Sequence, residues 1–199
     1  MKSLEFVGSS LDDLREFPAE ARRAAGFELG FVQRGLDPSD WKPMNQVGAG
    51  VREIRVHVLG EWRVLYVAKF PEAVYVLHAF QKKTQKTRRE DRGGSCTVSH
   101  DWRPVMKKNT TKSSGNVFVD LGFDPAEAAV LQMRTNLMSD LRLYIEKQKL
   151  SQAEAAKRLG IAQSRVSDLV RGKWDKFSLE MLITLEARLG RTVRVEFAA

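Results

Sequence analysis

Hydrophobic and polar positions alternate over residues 51–58. Ile54, Val56 and Val58 fall on one side, and Glu53, Arg55 and His57 on the other. A period of two predicts a half-buried strand. Residues 62–70 set Trp62, Val64, Tyr66 and Phe70 against Leu65 and Val67, and residues 73–80 are apolar on both faces, as in a central strand. Upstream, residues 2–7 form a short strand through Leu4 and Phe6. Ser9 or Ser10 caps a helix whose first turn holds Asp12 and Asp13, where the helix dipole favours anions. Pro18 opens a second helix running to Arg34, and Gly35 closes it. Residues 36–50, with Pro38, Pro43, Gly48 and Gly50, read as a loop. A strand, two helices and three strands predict an α+β domain: a small antiparallel sheet with N-terminal helices.

Periodicity fades over residues 81–112 and returns as helical spacing. Asp124, Pro125 and Glu127 take the N-cap, N1 and N3 positions of a helix, with Leu131, Leu137, Met138, Leu141 and Ile145 along it. Ser151 caps the next helix with Glu154 at its third position, and Gly160 ends it. Residues 163–171 form a short helix stopped by Gly172. Ser178 caps a last helix closed by Gly190, and residues 192–197 alternate as a C-terminal strand. The second domain is therefore expected to be all-α with a terminal strand.

Charge sharpens this division. The 199 residues carry a net +8, and the excess is local. Residues 1–80 hold ten Lys and Arg against eleven Asp and Glu; residues 81–112 hold ten against three; residues 113–199 hold thirteen against eleven. A basic block reads as a nucleic-acid surface, a solvated linker or a tail for an acidic partner. No run of 18 apolar residues occurs, so no membrane span is expected. Residues 1–10 lack the apolar stretch of a secretion signal. Cys96 has no second cysteine to pair with, and one Cys with three His is a poor metal set. The expectation is a cytoplasmic protein with no metal and no cofactor.

The run from Ser151 to Lys173 carries the most specific pattern. Ala155 is small where two helices must cross, Gly160 supplies a left-handed turn, and Ile161, Val166 and Leu169 form one apolar face. Gln163, Ser164, Arg165, Ser167 and Asp168 are left facing out, with Gln152 at the start of the preceding helix. Such a helix pair sets its second helix in the DNA major groove, where Gln matches adenine and Arg matches guanine. Arg171, Lys173 and Lys176 would contact phosphates. Residues 113–199 resemble the Xre/Cro class of helix-turn-helix domains, specifically HigA-type antitoxins. Residues 115–123 look like the opening of one such subfamily, and residues 177–182 and 189–195 like its end. The resemblance implies operator DNA as a partner and a homodimer paired through the terminal strand.

The first half carries a second resemblance. Residues 51–56 (VREIRV), 62–66 (WRVLY) and 76–87 (VLHAFQKKTQKT) look like HigB-type toxins of the RelE superfamily, over residues 1–91. That resemblance implies a ribosome-dependent mRNA endoribonuclease. The chemistry fits without a metal: cationic side chains can stabilise the pentavalent phosphate while others move protons. Arg55, Arg63, Lys82, Lys83 and Lys86 are the candidate phosphate group, and Lys or His78 the candidate proton carrier. His78 alternates with Val74, Val76 and Phe80, so a buried, satisfied histidine is equally open, and His57 reads as solvated surface. Residues 88–102 lack the Pro-containing turn and C-terminal helix with which such toxins usually continue.

The sequence thus predicts a toxin domain (1–91), a basic flexible linker (92–112) and an antitoxin domain (113–199), with Met106 as a former antitoxin start. Expected partners are operator DNA, mRNA on the ribosome, and a toxin–antitoxin contact within or between chains. The alternative is a transcriptional repressor whose toxin-like domain is catalytically dead and serves oligomerisation.

Overall fold

The computed structural model describes residues 1–83 and 110–194. The chain divides into two compact units, Met1–Ala129 and Val130–Ala199. No described helix is long and apolar enough to cross a membrane.

The first unit contains β1 (Ser3–Val7), α1 (Ser10–Arg15), α2 (Ala19–Gln33), β2 (Trp41–Pro43), β3 (Val51–Val56), β4 (Trp62–Val67), β5 (Ala73–Gln81), β6 (Thr110–Lys112), α3 (Val117–Asp120) and the start of α4 (Pro125–Lys147). The strands form one sheet in the order β2-β3-β4-β5-β1-β6. β3, β4 and β5 are an antiparallel meander, as short turns dictate. β1 runs parallel to β5, because the two-helix excursion after β1 supplies the long crossover that a parallel pair needs. Among the described residues the sheet therefore has six strands and one parallel pair, where the sequence pattern gave four antiparallel ones. β2 lies inside the predicted loop and pairs with β3 at an edge, the position where Pro43 costs no ladder bond.

One face of the sheet presents Leu4, Phe6, Ile54, Val56, Val64, Tyr66, Val74 and Val76, all buried, and α2 packs against β3 and β5. α2 is buried from Ala24 through Gln33 on every side, because it also contacts α3. The opposite face carries a second apolar cluster of Val51, Leu65, Val67, Tyr75 and Phe80, joined by Met44, Val47 and Phe70.

Residues 110–129 belong to this unit. β6 pairs antiparallel with β1 (Phe6↔Thr111) at the edge opposite β2. Thr110–Lys112 is thus a strand where the sequence reading placed the end of a linker. The Asn116 side chain caps α3 by accepting from the Phe118 and Val119 amides. Phe118 is fully buried, edge-on to Phe27 at 5.3 Å. Gly26 makes that seat possible: a Cβ there would lie 2.6 Å from Phe118 Cε1. Phe123 lies under the guanidinium groups of Arg22 and Arg23, Arg23 pairs with Glu127, and Arg15 Nε donates to the Asp120 carbonyl at 2.9 Å. The remainder of the predicted linker, residues 92–109, lies outside the described residues, as do residues 84–91 at the end of the predicted toxin domain.

The second unit holds the rest of α4, then α5 (Gln152–Leu159), α6 (Gln163–Val170), a 3-10 turn (Trp174–Lys176) and α7 (Leu179–Arg188). Asp124 Oδ1 accepts from the Ala126 and Glu127 amides, as the sequence pattern predicts for the α4 N-terminus. Ser151 and Glu154 form a reciprocal capping box on α5, and Gly160 ends it at φ +64°. Ser178 caps α7 through the Met181 amide. Residues 191–194 have no regular structure, and the rest of the predicted terminal strand lies outside the described residues.

Candidate functional site

Strand register decides which predicted residues meet. Arg55 pairs with Arg63, and Arg63 with Phe80; Glu53 pairs with Leu65, and Leu65 with His78. Facing residues on adjacent strands share a side, so Glu53, Arg55, Arg63, His78 and Phe80 occupy the sheet face opposite α2.

These charges are not loose. Arg55 Nε donates to Glu53 Oε1 at 3.2 Å, and Arg55 Nη1 lies 3.9 Å from Asp40. Asp40 Oδ2 lies 2.8 Å from His57 Nε2, and His57 Nδ1 2.8 Å from Glu61 Oε1. Glu61 Oε2 accepts from Arg63 Nη2 at 2.7 Å, and Arg63 Nε lies 3.7 Å from Glu53 Oε1. The contacts close a ring of alternating sign: Glu53, Arg55, Asp40, His57, Glu61 and Arg63. Lys42 adds a cation 3.8 Å from Glu53 Oε1.

Burial ranks the ring members. Glu53 is 1% exposed and Arg63 5% exposed. A carboxylate so deep needs cations around it, and Arg55, Arg63 and Lys42 supply them. Arg63 also donates to the Trp62 carbonyl at 2.8 Å, so its guanidinium is committed inside the fold. Arg55, with a third of its side chain exposed, is the guanidinium that solvent reaches. Hydrogen bonds to Glu61, then Asp40, raise the His57 pKa above its usual value. The same contact with His57, then Arg63, pulls the Glu61 carboxyl down to about 2. A neutral imidazole has a single N–H, so two carboxylates at 2.8 Å mark the cation. His57 is half-exposed, as its alternation implied, and it is also the link of this network.

His78 is a quarter exposed, stacks on Phe80 at 5.3 Å, and has Nδ1 2.9 Å from Asp13 Oδ2. It is satisfied, as one reading of its alternation held, but by a carboxylate on α1 and without full burial. With Nδ1–H given to Asp13, Nε2 is left as the proton acceptor, an orientation set by the second-nitrogen partner. The Lys82 amide donates to the Glu61 carbonyl at 2.7 Å, extending β5 beside β4; Lys82 is half-buried and Lys83 exposed. Lys86 lies outside the described residues.

Asp13, Asp40, Glu53, His57 and Glu61 were not among the site residues the sequence reading named. Four of the ring members were within reach of it. Pairing Arg55 with Arg63 across the Gly60 turn brings His57 opposite Glu61. Asp40 gave no such signal, because it arrives from irregular chain ahead of β2. Elsewhere in the unit, a cavity of about 310 Å³ is lined by Lys2, Arg52, Lys69, Asp37 and Tyr66. Its cations are engaged: Lys2 with the Ala68 carbonyl, Lys69 with the Ala49 carbonyl and Arg52 with Asp37.

In the second unit α5 and α6 meet at Gly160. Ala155, Leu159, Val166 and Leu169 are buried between them, while Ile161 is half-buried. Arg188 fixes the turn by donating to the Leu159 and Gly160 carbonyls at 2.7 and 2.9 Å. Arg134 holds the following segment through the Trp174 and Phe177 carbonyls. Gln152, Gln163, Ser164, Arg171 and Lys173 are exposed, and Ser167 is half-buried. Arg165 turns inward: Nη2 donates to the Lys176 carbonyl at 2.7 Å, and its guanidinium lies 4.9 Å from the Phe177 ring centre. Asp168 is paired with Lys173 at 2.7 Å, which lowers its pKa.

Two family models match the chain. Residues 12–92 match "Phage derived protein Gp49-like (DUF891)", and residues 117–197 match "Helix-turn-helix domain". None of the curated proteins matches. The chain thus carries a Gp49-like, toxin-type domain followed by a helix-turn-helix DNA-binding domain. The helix-turn-helix match opens at residue 117, inside the first compact unit. Its first turn of helix is therefore folded against the Gp49-like domain.

Proposed function

We propose that the chain is a self-neutralised toxin–antitoxin module. Its first unit is a latent ribosome-dependent mRNA endoribonuclease of HigB type, and its second is a HigA-type antitoxin that binds operator DNA and represses its own synthesis in the cytoplasm. The observation that carries this reading is a sheet that bears Arg55 on β3 and, two strands away, the Asp13–His78 pair near the lysine-bearing end of β5.

On that face His78 Nε2 takes the proton from a ribose 2′-OH, with Asp13 stabilising the imidazolium. The 2′-oxygen bonds to phosphorus and the P–O5′ bond breaks, leaving a 2′,3′-cyclic phosphate. The 5′-oxygen leaves with a proton from solvent or a lysine ammonium. Arg55 holds the phosphate oxygens as charge builds on them, and Lys82 and Lys83 carry the flanking backbone. Arg63 and Glu53 keep the Arg55 end of the sheet rigid.

Neutralisation by the second unit works by covering the cleavage face or by holding the enzyme away from the ribosome. Within the first unit, β6 sits four strands from β3, and α3 lies on α2, on the side of the sheet away from Arg55. For DNA, Gln163 and Ser164 read base edges, while Arg171 and Lys173 hold phosphates, with two protomers on one palindrome.

Expression of residues 1–129 tests the enzyme. It should stop growth and leave mRNA cuts visible by primer extension, and Arg55→Ala should remove both. A folded 1–129 that leaves growth and mRNA intact refutes the claim. That outcome favours the repressor reading, which draws on the buried guanidinium of Arg63, held by the Trp62 carbonyl and Glu61.

A further inference from the structure

The contacts around His57 are unequal, and the inequality has a direction. The three short ones join His57 to Asp40, His57 to Glu61 and Glu61 to Arg63, at 2.7–2.8 Å. The two long ones, Arg55 to Asp40 at 3.9 Å and Arg63 to Glu53 at 3.7 Å, fall outside hydrogen-bond range. Asp40 is thus drawn toward the imidazole and stops short of Arg55. This matters because a carboxylate on a guanidinium fork occupies the donors that a phosphate needs.

We propose that His57 is a positioning residue of the cleavage face: by donating from both ring nitrogens it fixes Asp40 and Glu61, and it keeps the Asp40 carboxylate off Arg55, which is left to an RNA phosphate. The inference rests on the cleavage reading of the same face. The charged groups facing His57 are Asp40 ahead of β2, Lys42 on β2, Glu53 and Arg55 on β3, and Glu61 and Arg63 at the start of β4. When His57 loses its proton, a single N–H remains for two carboxylates. Glu61 still has Arg63, so Asp40 is the one whose remaining cation is Arg55, and it closes onto it. The raised pKa of His57 keeps the cation in place toward neutral pH.

The test uses the full chain and a 2′-O-methyl RNA trinucleotide, which binds but lacks the attacking hydroxyl. The Arg55 Nη–H signals in a ¹⁵N NMR spectrum report contact with its phosphates. Affinity should fall about fivefold between pH 6 and pH 8.5, the scale of an exposed ion pair made or lost. His57→Ala should bind weakly at both pH values. Adding Asp40→Asn to His57→Ala should restore the pH 6 affinity, and Asp40→Asn alone should bind equally at both. A merely structural His57 predicts no rescue: a double variant as weak as His57→Ala overturns the proposal, as does wild-type affinity unchanged by pH. If Arg55 in the wild-type chain fails to respond to the trinucleotide at pH 6, the cleavage reading of this face falls, and the inference falls with it.

Discussion

Gly26→Ala should weaken the seating of residues 110–129, although the same exchange elsewhere in a helix stabilises. In an ordinary helix interior, alanine gains about 0.5–1 kcal/mol over glycine by restricting the unfolded chain. At Gly26 the added methyl would stand 2.6 Å from Phe118 Cε1 and 2.9 Å from Cδ1. The ring cannot retreat, because it is fully buried between Phe27 at 5.3 Å and Phe123 at 6.1 Å. Overpacking of this kind costs about 1–3 kcal/mol, enough to cancel the helix gain and reverse its sign. Phe118→Ala removes the ring itself and should cost about 3–5 kcal/mol. Against that, β6 contributes three residues of pairing to the sheet edge. Losing the Phe118 anchor should therefore open β6 and α3 before the rest of the unit. Amide hydrogen exchange on the full chain reads this directly. Protection at residues 110–121 should fall in both variants while the β3, β4 and β5 amides keep theirs. Unchanged protection at β6 in Phe118→Ala would refute the claim that this ring holds the segment down.

The charge ring makes the first unit's stability depend on pH from both sides. Glu61, with its folded pKa at about 2, contributes stability present above its unfolded value near 4.5 and lost as pH falls toward 2. His57, with its pKa raised, contributes stability present below 6.5 and lost as pH rises through its folded value. The melting temperature should peak between about pH 4.5 and 6.5 on these two groups, and His57→Gln should flatten the alkaline limb. Ser151→Ala removes the capping box on α5 and should cost about 1 kcal/mol in urea unfolding of the second unit. Arg165→Ala should lower that unit's stability by about 1–2 kcal/mol, through the lost Lys176 carbonyl bond and Phe177 contact. Gln163→Ala should leave stability alone and weaken operator binding in a gel shift; the opposite pattern would return Arg165 to the base-reading role.

Local patterning carried the sequence reading far. The strands β3, β4 and β5 were legible because their apolar residues alternate or run unbroken. The α5 and α7 caps were legible because Ser151, Glu154 and Ser178 satisfy helix amides through their own side chains. What stayed hidden depends on distant partners. β2 is three residues long and exists because β3 offers an edge. Lys112 carries no mark of a strand, since its pairing is decided by β1, more than a hundred residues earlier. Arg165 has the composition of a base reader and the geometry of a brace, a difference set by the carbonyl of Lys176 and the ring of Phe177. Asp13 served equally well as a helix-dipole anion; the partner that gives it chemistry, His78, lies on another element.

The strand and helix that complete the first unit lie C-terminal to Met106, although the sheet they join is N-terminal to it. Residues 1–83 and residues 110–129 therefore share one sheet and one aromatic socket. In its topology the first unit is assembled from two stretches of chain, residues 1–83 and 110–129. Its covalent continuity sets the local concentration of the second piece, while Phe118 and the β1 edge set how tightly it is held.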